Sequence, residues 1–165
     1  MEAKKLSEDP APAYQLSLRI RHPSINPVEI SQALEIEPEH AFQAGDARRS
    51  GGRAPPSVHT ESYWLGILKP RAVLPDISFP GNERSQVAQA RLTETMRSLT
   101  WALSLSASRV LSVHAGLLRR IRAEGGQVTL LVAISESEAT SFSLAPEASR
   151  LFGELGITVE FELGD

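Results

Sequence analysis

Tyr14-Gln15-Leu16-Ser17-Leu18-Arg19-Ile20-Arg21-His22-Pro23-Ser24-Ile25-Asn26-Pro27-Val28-Glu29-Ile30 is the stretch on which the fold turns, because its apolar period changes halfway along. Tyr14, Leu16, Leu18 and Ile20 alternate with Gln15, Ser17, Arg19 and Arg21, the period of a half-buried strand, which ends before Pro23. A helix is predicted next. Asn26 suits the N-cap, Pro27 the N1 position and Glu29 the N3 partner of a capping-box-like arrangement, while Ile25 and Ile30 have the spacing of a hydrophobic staple. Ile30, Ala33 and Leu34 supply the apolar stripe, and Pro38 is expected to stop the helix at about Glu37.

On the N-terminal side, residues 1–12 are polar and without periodicity and read as a disordered leader, which leaves 13–165 as a single domain. On the C-terminal side, Gly45-Asp46 and the Arg-, Gly- and Pro-rich tract from Arg48 to Pro56 suggest a mobile loop before a strand through Tyr63 to Leu68. Residues 69–86, with Pro70, Pro75, Pro80 and Gly81, are expected to form a long excursion with little regular structure. Leu92, Met96, Leu99 and Leu103 fit a helical face, whereas Leu99, Trp101, Leu103 and Leu105 alternate as a strand would. The expectation is a short helix near 86–96 followed by a strand from about 98 to 106.

The remaining elements follow from period and punctuation. Val110, Val113, His114, Leu117, Leu118 and Ile121 mark an amphipathic helix closed by Gly125-Gly126, with Arg119, Arg120 and Arg122 complementing its C-terminal dipole. Gln127 to Ile134 reads as a strand, Thr140 to Leu144 as a possible partner, and Pro146 opens a helix through Leu151, Phe152 and Leu155 to Gly156. Ile157, Val159, Phe161 and Leu163 alternate as a closing strand. Several half-polar strands among one-sided helices predict an α+β fold: a largely antiparallel or mixed sheet of about five to six strands with helices mainly on one face.

Composition narrows the chemistry. With 165 residues, 41% hydrophobic and 22% charged, the chain has the material for one folded domain. It has no cysteine, which excludes disulfides, thiolate catalysis, iron–sulfur clusters and cysteine-based zinc sites. No secretory signal or membrane-spanning run is visible, so a cytoplasmic location is expected. The net charge of −3 is unevenly spread: Arg48, Arg49 and Arg53 share one loop, Arg109, Arg119, Arg120 and Arg122 one segment, and the C-terminal part from Glu136 to Asp165 is acidic.

His22, His40, His59 and His114 lie far apart with no His-Glu-x-x-His spacing, and no cofactor or metal site is implied. Gly-x-Ser-x-Gly and Ser-x-x-Lys are both missing, and Gly51-Gly52-Arg53 lacks the frame of a phosphate loop.

The residue pattern resembles a mostly bacterial family, domain of unknown function family 4279. The likeness rests on the strand Tyr14 to Ile20, the helix start Asn26-Pro27-Val28-Glu29-Ile30, and Leu34-Glu35-Ile36-Glu37-Pro38. It continues through Phe42-Gln43-Ala44-Gly45-Asp46-Ala47-Arg48-Arg49, a Trp-bearing strand at Trp64 or Trp101, His114-Ala115-Gly116-Leu117-Leu118, and a closing strand after Leu155-Gly156. It covers about residues 14–163, departs from the family pattern between Lys69 and Ser98, and implies the fold and a bacterial origin but no catalytic residue.

The candidate interaction residues are Asp46, Arg48, Arg49 and Arg53, with Trp64 and Trp101 as aromatic partners. A loop can present a carboxylate together with guanidinium forks that suit phosphate or carboxylate groups. The simpler account of Asp46 is a tight turn in which it caps backbone amides or pairs with Arg48, and the simpler account of the tryptophans is core packing. The leading expectation is a non-enzymatic protein-binding module of regulatory or immunity type. The alternatives are a small-ligand binder or enzyme with a pocket at Asp46, Arg48 and Arg49, and, ranked last because of the net charge, nucleic-acid binding through the arginine clusters.

Overall fold

The computed structural model describes residues 14–48, 57–68, 99–100, 102–104, 106–134 and 143–163. The strands are β1 (Tyr14–His22), β2 (His40–Phe42), β3 (Ser62–Leu68), β4 (Gln127–Ile134) and β5 (Thr158–Leu163), and the α-helices are α1 (Pro27–Leu34), α2 (Ala115–Ala123) and α3 (Pro146–Leu155). The strands form one five-stranded mixed sheet in the order β2-β3-β1-β4-β5. The pairs β2–β3, β3–β1 and β1–β4 are antiparallel, and β4–β5 is parallel across the α3 connection.

The alternation in β1 sorts the sheet into two faces. Leu16, Leu18 and Ile20 are buried on the inner face, joined by Trp64 and Leu68 of β3 and Val128, Leu130, Val132 and Ile134 of β4. The described helices close over this face through Ile30 and Leu34 of α1, Leu118 and Ile121 of α2, and Phe152 and Leu155 of α3, all within a single hydrophobic core. Each fully buried Leu or Ile contributes roughly 1.5–3 kcal/mol. Trp64 is the largest side chain in this core; it is wholly buried and its indole Nε1–H donates to Ser31 Oγ of α1 at 2.9 Å. Its ring occupies the space over Gly66, where an added Cβ would stand 2.4 Å from the indole.

The helix start forms as its residues dictate. Asn26 caps α1 by accepting from Val28 N–H at 2.9 Å, Pro27 is the first helical residue, and Ile25 and Ile30 are both buried. Two details differ from expectation. The Glu29 side chain, instead of turning back to the cap, pairs with Arg120 of α2. The helix ends at Leu34, because Glu35 adopts a left-handed conformation with φ +55° and its N–H bonds to Ser31 O, three residues before Pro38 could act.

Among the described residues of 98–106 the expected strand is not formed. Residues 99–100 and 102–104 are helical, and Leu99, Ala102, Leu103 and Ser106 are buried at the spacing of one helical face. Core burial resolves the ambiguous run in favour of the helix period. A π-helical turn (Ser106–Leu111) and a short bend follow, so the helix expected from Val110 begins at Ala115. The short edge strand β2 was not foreseen; it exists because the segment after Pro38 pairs with β3, Ala41 opposite Trp64.

Ser143 and Leu144 are not in a strand, and residues 140–142 lie outside the described residues. So do the expected leader, the excursion at 69–86 and the helix at 86–96. No described helix is long and apolar enough to cross a membrane.

Two substitutions test these constraints. Glu35→Gly removes a left-handed side-chain residue and is expected to raise unfolding stability by about 1 kcal/mol in urea titrations. Gly66→Ala forces the Trp64 indole out of its position and is expected to lower stability by about 1–3 kcal/mol, with a change in tryptophan fluorescence.

Candidate functional site

The residues of opposite parity on β1 define the outer face of the sheet. The register sets Arg19 beside Leu65 and Thr129, Arg21 beside Tyr63 and Gln127, and Ser17 beside Ile67 and Leu131. Phe42 of β2 lies opposite Tyr63 on the same face. The result is a surface on which Phe42, Tyr63, Leu65, Ile67 and Leu131 are all partly exposed.

At the β2 side three rings stack in series. Phe42 stacks with His59, with centroids 3.7 Å apart, and with Tyr63, at 5.1 Å. Such pairs contribute about 0.5–1.5 kcal/mol beyond their buried area.

Each arginine of the outer face has a carboxylate partner from another strand or loop. Arg21 pairs with Glu61, whose hydrogen bond and charge hold the guanidinium above its ordinary pKa. Arg19 reaches across β4 so that its Nη2 donates to both oxygens of Glu160 on β5 at 2.8 Å, while its buried Nε has no partner among the described residues. Positive charge on this face is thus locally neutralised.

The described part of the expected loop site, Gly45 to Arg48, pairs antiparallel with Ser57 to His59, and residues 49–56 lie outside the described residues. Gly45 N–H donates to His59 O at 2.8 Å, His59 N–H to Asp46 O at 2.9 Å and Arg48 N–H to Ser57 O at 2.8 Å, and Ala47 bridges Val58. Gly45 takes φ +93°, a conformation glycine adopts freely. The Asp46 carboxylate accepts from Gln43 N–H at 2.7 Å, so it closes the turn through a backbone amide.

Asp46 and Arg48 are exposed on this pairing. Trp64 does not join them, since it is buried on the inner face against α1. Arg49, Arg53 and Trp101 lie outside the described residues.

Arg120 and Arg122 of α2 are also engaged. Arg120 pairs with Glu29, whose hydrogen bond and charge raise its pKa, and Arg122 donates to the Gly156 carbonyl at the end of α3. These contacts tie α2 to α1 and α3. The Glu29 pair offsets one positive charge of this segment, which weakens a nucleic-acid interface there.

His22 is the buried titratable side chain of the inner face. Its Nδ1 accepts from Ser24 N–H at 3.1 Å and Ile25 N–H at 2.8 Å, so that nitrogen carries no proton. The ring proton then sits on Nε2, which stands 3.3 Å from Glu124 Oε2 without the alignment of a hydrogen bond. The imidazole thus organises the β1–α1 connection. Among the described residues no group of three or more His, Asp or Glu side chains could hold a metal ion.

The ring stack and the cross-sheet pairs were not legible in the sequence. His59 and Glu61 form an unremarkable dyad there, and only the β2–β3 and β1–β3 registers direct one to Phe42 and the other to Arg21. Searches of protein-family models, curated proteins and solved structures found no match to this chain.

Asp46→Ala is expected to destabilise the fold by about 1 kcal/mol through the lost turn cap, and Asp46→Asn, which keeps an acceptor, by less. Thermal unfolding of both variants checks the difference; equal loss in both would assign Asp46 a role that depends on its charge.

Proposed function

We propose that this chain is a non-enzymatic protein-binding module, of regulatory or immunity type, whose contact surface is the outer face of the sheet. The supporting observation is the arrangement of that face: partly exposed Phe42, Tyr63, Leu65 and Ile67 on β2 and β3 and Leu131 on β4, with the pairs Arg21–Glu61 and Arg19–Glu160 beside and between them. Exposed aromatic and aliphatic side chains together with arginine are enriched in protein–protein contact surfaces. Because the two arginines are already neutralised, the partner that fits is an apolar protein surface of low net charge, held by shape and burial more than by electrostatic attraction. A bacterial origin and membership of domain of unknown function family 4279, supported by the residue words set out above, and a cytoplasmic location belong to the same proposal.

The test is site-specific photo-crosslinking in bacterial cells, with a benzophenone side chain at Ile67 on the outer face or at Glu147, an exposed residue of α3. A discrete protein adduct is expected from Ile67 and not from Glu147. The double variant Leu65→Gln and Ile67→Gln is expected to weaken binding of that partner at least tenfold, about 1.4 kcal/mol, while retaining a cooperative unfolding transition. The same adducts from both positions, or none from Ile67, would overturn the assignment of the surface.

A further inference from the structure

We draw no further inference here: the strongest candidate, the outer sheet face with its His59–Phe42–Tyr63 stack, belongs to the surface already described, and nothing in the structure shows what covers it.

Discussion

β1 is hydrogen-bonded to β3 along one edge and to β4 along the other, and this double pairing governs the rest of the molecule. A strand in that position cannot shift by one residue without exchanging all its side chains between faces. Leu16, Leu18 and Ile20 must therefore stay inside, and Arg19 and Arg21 must stay outside. The neighbouring strands inherit the same parity, so Trp64 and Leu130 are interior residues while Tyr63, Leu65 and Leu131 belong to the outer face.

The inner face is specified by shape as well as by hydrophobicity. Trp64 fits because Gly66 has no side chain, and its one polar atom is satisfied by Ser31 on α1. Gly126 makes a comparable allowance, since a Cβ there would stand 2.7 Å from the His22 ring and 2.6 Å from Ile121. His22 in turn holds two backbone amides of the β1–α1 connection. A buried polar ring is tolerated at this corner because both amides would otherwise lose a partner.

The outer face follows a different logic. Its two arginines are paired with carboxylates, its aromatic rings are stacked, and it also presents Leu65, Ile67 and Leu131. Ion pairs at partly exposed positions add little stability. Their larger effect is to remove net charge from a surface that also presents apolar groups, and this is what directs the functional proposal toward a protein partner rather than a polyanion.

Local chemistry was enough to determine β1, the Asn26 cap, the Pro27 helix start, the turn at Asp46 and the α+β class, because each depends on residues within a few positions of one another. It did not decide the run near Leu99 to Ser106, where helix and strand periods both fitted until burial of Leu99, Ala102 and Leu103 on one side selected the helix. Nor did it reveal β2, whose three residues have no pattern of their own and exist as a strand only through pairing with β3. The Phe42 stack and the Arg19–Glu160 pair bring together residues distant in the chain. Strand register creates those contacts, and register is a property of the assembled sheet, so the outer surface was settled only by tertiary structure.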